Sequence, residues 1–152
     1  MSDHLYNRDV LRLAADAHGA GHLHEPHFSG EAHNPACGDK VRVELALDAD
    51  GRVSAMAHDT KACVLAQASA SILGNALKGA SRDDVEDLAN ALGMMMGANA
   101  APPDAPFSAY SAFAGVVEHR NRRQCVLLPI NAVLNAFENS ENAEPRGVGS
   151  KP

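Results

Sequence analysis

The feature that most constrains the fold is a strict alternation of apolar and polar residues that is interrupted once. Apolar side chains occupy every second position over residues 41–47, and the alternation resumes over residues 53–57. The intervening residues 48–51 supply two Asp and one Gly, which favour a tight turn. Because strict alternation is typical of a strand with one buried face, the pattern predicts a β-hairpin that presents one face to a core.

Apolar residues at helical spacing predict helices on both sides of this hairpin. The predicted helices cover roughly residues 4–17, 60–79, 81–97, 107–117 and 125–138. Asp3 is a candidate N-cap of the first helix, Gly93 and Gly97 are expected to end the third, and Pro129 is tolerable only in the first turn of the last. Residues 18–33 lack a clear period, which indicates a loop that contains at most one irregular edge strand.

This order of elements predicts an α+β fold, in which a small antiparallel β-sheet of about three strands carries helices on one face. A chain of 152 residues can bury a sufficient core as one domain without disulfides, and we assign that domain to residues 1–138. Residues 139–152 are polar and contain Pro145 and two glycines, so we predict that they form a disordered tail.

The charge and the cysteine content narrow the function classes. A formal net charge of −6 argues against binding to nucleic acid or to an anionic membrane. The first nine residues lack the apolar segment of a signal peptide, and the longest apolar run, residues 125–130, is too short to span a bilayer. Three cysteines without an export signal favour a reducing compartment. We therefore expect a cytoplasmic protein with free or metal-bound thiols.

Each cysteine lies in a context that favours a thiolate. Cys37 is in a turn bounded by Pro and Gly, two residues before Asp39. Cys63 and Cys125 are placed at predicted helix N-termini, where backbone N–H groups lower a thiol pKa, and two arginines precede Cys125. Three thiolates and one carboxylate form a four-ligand set that zinc or an iron–sulfur cluster accepts. The alternative is that each cysteine is a small buried hydrophobe.

Three segments that contain these cysteines resemble the cysteine boxes of a known family. The segments are Asn-Pro-Ala-Cys-Gly-Asp at 34–39, Lys-Ala-Cys at 61–63 followed by Gln-Ala-Ser-Ala-Ser at 67–71, and Arg-Gln-Cys-Val-Leu-Leu-Pro at 123–129. Over residues 30–138 the chain is similar to the IscU/NifU-N/SufU family of iron–sulfur cluster assembly scaffolds. The resemblance implies that Cys37, Cys63 and Cys125 converge at one exposed end of an α+β fold. It also implies that Asp39 joins them around Zn²⁺ or a nascent cluster of the [2Fe–2S] type.

The spacing of the boxes indicates a branch of this family. The long segment between Cys63 and Cys125 resembles the insert of SufU-type proteins, whereas IscU-type proteins are shorter there. IscU-type proteins also carry His immediately before the third cysteine, where this chain has Gln124, and a Leu-Pro-Pro-Val-Lys motif that residues 117–124 lack. By insert length the chain therefore resembles the SufU branch.

The resemblance leaves three uses of one site open. As a scaffold, the protein would receive sulfur from a cysteine desulfurase, build a cluster on the three cysteines and Asp39, and pass it to iron–sulfur acceptor proteins without being an enzyme itself. As a zinc-dependent sulfurtransferase of the SufU type, it would accept a persulfide on Cys37, Cys63 or Cys125. In the third use, zinc bound by these four residues is purely structural.

Two further clusters have no role in this assignment of the cysteines. The basic residues Arg120, Arg122 and Arg123 form either a solvated face or a docking patch for a partner near Cys125. Five histidines form the second cluster, and they either hold another metal ion or bind metals adventitiously. These histidines are His18, His22, His24, His27 and His33.

Overall fold

Four α-helices, three strands and one 3₁₀ helix build the described part of the chain. The structure, a computed structural model of the 152-residue protein, describes residues 6–25, 28–35 and 38–147, with the backbone alone for 141–147. The elements in chain order are α1 (Arg8–Asp16), β1 (Phe28–Asn34), β2 (Asp39–Leu47), β3 (Val53–Lys61), α2 (Val64–Ala76), α3 (Arg82–Ala98), a 3₁₀ helix (Ser108–Glu118) and α4 (Arg120–Gly147). None of the helices in these ranges has both the length and the hydropathy that a membrane span requires.

The three strands form one antiparallel sheet in the order β1-β2-β3, and helices pack on one of its faces, so the predicted α+β fold is confirmed. Strands β2 and β3 are the predicted hairpin. Strand β1 is the edge strand that the sequence allowed within the predicted loop, but it is regular, and it pairs with β2 along its full length. The sequence shows no apolar alternation over β1, because its buried residues, Gly30 and Ala32, are too small to give a hydrophobic signal.

A register shift in the hairpin decides which β3 side chains face the core. Leu47 lies opposite Val53, but Leu45 lies opposite Met56, so β3 carries one extra residue between these pairs. Directly opposed residues of an antiparallel pair share a face. The predicted alternation over residues 53–57 is therefore broken. Val53 and Met56 face the core with their partners, whereas Ala55 and Ala57 lie on the other face of the sheet, where Ala57 is buried opposite Glu44.

Helix α4 lies directly on β1, and the contact depends on a glycine. A Cβ atom built on Gly30 would collide with the backbone nitrogen of Ala136 and would lie 2.5 Å from the backbone oxygen of Ala132. Only glycine therefore permits the two backbones to come this close. The contact fixes the distance between the backbone of α4 and the sheet at the point where the helix crosses it.

The outer edge of β1 is also bound by α4. Asn135 and Asn139, which are one helical turn apart, donate side-chain hydrogen bonds to the carbonyl oxygens of Glu31 (2.7 Å) and Ser29 (2.6 Å). These bonds satisfy acceptors that an edge strand would otherwise present to another chain. They also hold α4 alongside β1, with the two elements running in opposite directions, and thereby help to position Cys125, which lies on α4.

The first helix begins later than predicted. Its N-cap is Asn7, whose side-chain oxygen accepts a hydrogen bond from the Val10 N–H (2.9 Å), and its C-cap is Ala17 in the left-handed conformation. The expected N-cap, Asp3, lies outside the described residues. Helix α1 packs on α2 and completes the layer of helices over the sheet.

Helix α3 starts as predicted but ends later. The capping box between Ser81 and Asp84 is present, with each side chain bonded to the backbone N–H of the other residue. The prediction that Gly93 ends this helix is wrong, since α3 continues through it to Ala98, one residue past Gly97, and its C-cap is Asn99 in the left-handed conformation (φ 56°). An asparagine tolerates that conformation because its side chain is short and polar.

Helix α4 begins earlier than predicted, at Arg120, so Cys125 is not at a helix start. Pro129 lies in the helix interior, and it has no N–H to donate to the Cys125 carbonyl four residues before it. The backbone remains helical over residues 139–147, where we had placed the start of the tail, and residues 148–152 lie outside the described residues.

The segment before α4 is a 3₁₀ helix rather than an α-helix. Tyr110, Phe113 and Val116 are fully buried, and their spacing of three residues matches the three residues per turn of this helix type. The predicted helix is therefore present, but its buried face follows a different period.

A buried hydroxyl group joins α2 to α4 close to the two cysteines. The Ser69 hydroxyl donates to the Val126 carbonyl (2.7 Å) and accepts from the Tyr110 hydroxyl (2.9 Å), and all three groups are buried. Val126 follows Cys125 in the chain, and Ser69 lies on the helix that Cys63 begins. This bond therefore fixes the relative positions of the two helices that carry the thiols.

We predict that Gly30→Ala destabilises the protein by about 1–3 kcal/mol, because the new methyl group must push α4 away from β1. The matched control is Gly93→Ala in α3, where a Cβ atom meets nothing within 4 Å and the change should stabilise the helix by up to about 1 kcal/mol. Chemical denaturation of both variants measures the difference. Equal stability of the two variants would contradict the close contact of α4 with the sheet.

Candidate metal centre

Three potential ligands converge at the end of the sheet where β2 begins. Asp39 is the first residue of β2 and is buried. Cys63 is the N-cap of α2 and is half-buried, and Cys125 lies in the second turn of α4 and is 1% exposed. The hairpin, α2 and α4 thus bring together three residues that are far apart in sequence.

The distances between these ligands suit one metal ion. A carboxylate oxygen of Asp39 and the sulfurs of Cys63 and Cys125 all lie within 4.8 Å of one another, and the Cys125 sulfur is 3.7 Å from Asp39 Oδ2. Ligands of a tetrahedral zinc ion with metal–sulfur bonds of about 2.3 Å lie roughly 3.5–3.8 Å apart. Small side-chain rotations would therefore place all three around a common ion.

Cys37, the fourth predicted ligand, lies outside the described residues, so its participation stays a prediction. The described residues on both sides of it form a turn, since the Gly38 N–H donates to the Asn34 carbonyl (2.8 Å) and Gly38 has a φ of 75°. Glycine is favoured in that conformation. A cleft of about 370 Å³ lies beside the turn and is lined in part by Asp39.

Cys63 is the more acidic of the two described thiols. A hydrogen bond from Cys125 lowers the pKa of Cys63 to about 6, and the backbone N–H groups of Leu65 and Ala66 at the start of α2 contribute in the same direction. Partial burial and the charge of Asp39 oppose these effects. In the metal-free protein Cys63 is therefore mainly a thiolate at neutral pH, as a helix N-terminal position predicts.

Cys125 differs from the sequence-based expectation. Its hydrogen bond to Cys63, its burial and the charge of Cys63 raise the pKa of Cys125, and contact with Arg122 offsets only part of this effect. The expectation of a lowered pKa is wrong because α4 begins more than one turn before Cys125, so no free helix N-terminus points at this sulfur. The Cys125 thiol therefore keeps its proton in the metal-free protein, and its sulfur also lies 3.7 Å from Asp39 Oδ2, to which the S–H can donate.

The predicted basic cluster divides into three environments. Arg123 donates two hydrogen bonds to a backbone carbonyl at the end of the 3₁₀ helix (2.8 and 2.5 Å) and is thus structural. Arg122 donates to the Tyr6 hydroxyl (2.6 Å), lies over the Tyr6 ring, and contacts the Cys125 sulfur. Arg120 is exposed.

The contact of Arg122 with the Cys125 sulfur agrees with the expectation that the arginines before Cys125 favour its thiolate, although the effect is only partial. Residues three apart on a helix are neighbours, so the start of α4 at Arg120 accounts for this contact. The contact of Tyr6 with Arg122 could not be predicted, because no spacing relates Tyr6 to α4.

The histidine tract forms no metal group of three ligands in the ranges that the structure describes, where Asp39, Cys63 and Cys125 are the only such group. His22 instead pairs with the buried Glu44 (3.1 Å), and His33 lies 3.9 Å from Glu31. His27 lies outside the described residues. His22 and His33 therefore each lie next to a carboxylate and not next to another histidine of the tract.

Comparison with known proteins agrees with this fold and site. The model of the NifU-like N-terminal domain family matches residues 5–126. The iron–sulfur cluster assembly scaffold protein IscU of Streptococcus pyogenes serotype M1 is 27% identical over 133 residues, which cover 82% of this chain and 83% of that protein.

Two solved structures share the fold. The N-terminal part of a nitrogen-fixing NifU-like protein from Brucella abortus superposes with a TM-score of 0.87 and is 31% identical, covering 92% of this chain and 96% of that one. The scaffold protein for the SUF system of Fervidobacterium islandicum AW-1 superposes with a TM-score of 0.76 at 19% identity, covering 90% and 99%.

The fold and the Cys/Asp group define a protein of the IscU/NifU/SufU scaffold class. This chain belongs to the NifU-like N-terminal domain family, and the predicted family is confirmed. Its assignment to the SufU branch by insert length stays a prediction, because a NifU-like protein and a SUF-system protein both share the fold.

We predict that iodoacetamide modifies Cys63 before Cys125 in the metal-free protein, with a rate that rises through about pH 6 as the Cys63 thiolate forms. The measurement is peptide mass spectrometry after brief alkylation between pH 5 and 8, under anaerobic conditions with a chelator. In Cys125→Ala the midpoint should move to higher pH, since the hydrogen bond that stabilises the thiolate is lost. Faster modification of Cys125 than of Cys63 would contradict the assignment of the thiolate to Cys63.

Proposed function

We propose that this protein is an iron–sulfur cluster assembly scaffold, which receives sulfur from a cysteine desulfurase and builds a nascent [2Fe–2S] cluster on Cys37, Asp39, Cys63 and Cys125. The observation that carries the proposal is the convergence of Asp39, Cys63 and Cys125 within 4.8 Å in a member of this family. The cluster is cargo, so it must be held firmly enough to form and weakly enough to leave.

The first step is the transfer of sulfane sulfur to a thiolate. The scaffold thiolate attacks the outer sulfur of the desulfurase persulfide, the sulfur–sulfur bond breaks, and its electron pair stays on the desulfurase cysteine. Reduction of the new persulfide to sulfide takes two electrons from a reductant. Among the described thiols, Cys63 is suited to accept sulfur because it is half-buried and its pKa is lowered, whereas Cys125 is buried and protonated.

Asp39 makes the site suitable for release. A carboxylate is a hard ligand, and iron–sulfur clusters are otherwise held by soft thiolates, so an oxygen ligand is the weakest point of the set. Asp39 lies at the end of a strand rather than in a loop, which keeps this weak ligand in place. The cluster could then pass to iron–sulfur acceptor proteins.

The second candidate is a zinc-dependent sulfurtransferase, and the unequal thiols favour it. The pKa of Cys63 is lowered and that of Cys125 is raised, and a zinc ion would displace the proton of Cys125 and hold both sulfurs as thiolates. Zinc held in this way keeps the thiols unreactive until a desulfurase displaces one of them, which then takes a persulfide. A cytoplasmic location suits both candidates, since their thiols must stay reduced.

A docking role for the basic residues belongs to this proposal. Arg120 is exposed and Arg122 contacts the Cys125 sulfur, so both lie where a desulfurase would approach the thiols. Arg123 is hydrogen-bonded to a backbone carbonyl and contributes less to docking.

Replacement of Arg120 by Ala should reduce the stimulation of desulfurase turnover, and unchanged stimulation would remove this residue from the interface.

The main test separates the two functions. The protein is mixed anaerobically with a cysteine desulfurase, cysteine, ferrous iron and a reductant, and visible absorption and bound zinc are recorded. Cluster absorption with loss of any bound zinc supports the scaffold. Stoichiometric zinc, no visible absorption and stimulated desulfurase turnover support the sulfurtransferase, and the absence of both signals would contradict the proposed function.

We predict that Asp39→Cys retains an assembled cluster at least several times longer than the unchanged protein, because a thiolate replaces the weak oxygen ligand. The half-life of cluster transfer to an apo-ferredoxin measures this effect. Asp59→Cys is the matched control, since it adds a thiol to β3 outside the described ligand group. Equal transfer rates for Asp39→Cys and Asp59→Cys would show that Asp39 is not a cluster ligand.

A further inference from the structure

The face of the sheet that points away from the helices carries an unusual pairing of charges at the metal-centre end. Lys40 of β2 lies directly opposite Lys61 of β3, and His33 of β1 lies opposite Lys40 on the other side. The three side chains thus form one row across the sheet, and all three residues are exposed. We call His33, Lys40 and Lys61 the lysine row.

The lysine row is adjacent to the metal centre. Lys40 follows Asp39 in β2, and consecutive Cα atoms are about 3.8 Å apart. Lys61 precedes Cys63 by two residues, at the end of β3. Successive side chains of a strand point to opposite faces, so Lys40 lies across the same end of the sheet from Asp39, and a partner that wraps around this end contacts both the thiols and the lysines.

The charges of the two lysines are not balanced by the fold, whereas His33 lies 3.9 Å from Glu31. Like charges directly opposite each other destabilise an antiparallel pair. In the part of the chain that the structure describes, neither Lys40 nor Lys61 forms an ion pair. The next row of the sheet shows the usual arrangement, since Arg42 lies near both Glu31 (3.7 Å) and Glu44 (3.6 Å).

The row also differs in sign from the rest of the protein. With a formal net charge of −6, the chain as a whole repels an acidic macromolecule. A cationic row beside the accessible thiol Cys63 gives such a partner a local point of attraction. Charges at the rim of an interface mainly set the association rate and its dependence on salt.

We infer that the lysine row is the docking surface for an acidic face of the sulfur donor, and that the paired lysines steer it towards Cys63. This inference rests on the proposed function. The donor is favoured over a cluster acceptor because it delivers sulfur to Cys63, two residues from Lys61, and because the persulfide that it carries is itself anionic.

The test compares Lys40→Glu/Lys61→Glu with Lys78→Glu/Lys151→Glu and with Lys61→Glu alone. Lys78 is exposed after α2, far from the thiols in the fold, and the second pair gives the same change in charge. Binding to a cysteine desulfurase and stimulation of its turnover are measured between 20 and 300 mM salt. These salt concentrations bracket a Debye length of roughly 20 to 6 Å.

The inference predicts that Lys40→Glu/Lys61→Glu weakens desulfurase binding roughly tenfold or more at low salt, with little change at saturation and a smaller dependence on salt. Lys61→Glu alone should weaken binding while the melting temperature stays equal or rises, because it places opposite charges across the strand pair. A merely structural role of these lysines would not produce this combination.

Other outcomes overturn specific claims. Equal effects of the two double variants, or no desulfurase binding by the unchanged protein, would overturn the docking inference. If binding depends on the lysine row but the unchanged protein neither stimulates the desulfurase nor forms a cluster, the docking inference holds and the proposed function fails. If only transfer to an acceptor protein falls in Lys40→Glu/Lys61→Glu, the row belongs to the acceptor and not to the donor.

Discussion

The close contact between α4 and the sheet is the constraint on which the rest of the structure depends. Gly30 lets the backbone of α4 touch β1, and the hydrogen bonds from Asn135 and Asn139 hold the helix along the strand. Ser69 then ties α4 to α2 next to Cys125. Without this packing the Cys125 sulfur would have no defined distance from the other ligands. The ligands that would hold a transient cluster are thus positioned by tightly packed helices and strands.

The metal centre combines ligands of unequal character. Cys63 is accessible and acidic, Cys125 is buried and protonated in the metal-free protein, and Asp39 supplies a hard oxygen. These differences suit a protein that accepts sulfur on Cys63, holds a cluster with all of its ligands, and releases the cluster by breaking the weak bond to Asp39. Equal thiols in a closed site would be better suited to a permanent zinc ion.

The sequence predicts part of this architecture well. The hairpin could be predicted because alternation and turn chemistry agree, and the three cysteine segments identify the family. Strand β1 could not, because its inward residues Gly30 and Ala32 are small. The opposition of Lys40 and Lys61 could not be predicted either, since one extra residue in β3 shifts the register that the turn alone would suggest.

The start of α4 was the other main difference, and it changed the chemistry inferred for the site. Residues 118–124 are polar and gave no apolar period, so the helix was expected to begin at Cys125. Its actual start at Arg120 buries Cys125 and brings Arg122 against its sulfur. The pKa of Cys125 is raised mainly by its hydrogen bond to Cys63 and by its burial, two effects that the position of Cys125 in the sequence does not indicate.

The central claim is that distant residues bind one ion, and X-ray absorption spectroscopy of the zinc-loaded protein tests it most directly. The account predicts three sulfur ligands at about 2.3 Å and one oxygen ligand at about 2.0 Å, with the loss of one sulfur in Cys125→Ser. A first shell of nitrogen and oxygen ligands that is the same in Cys125→Ser and in the unchanged protein would contradict it.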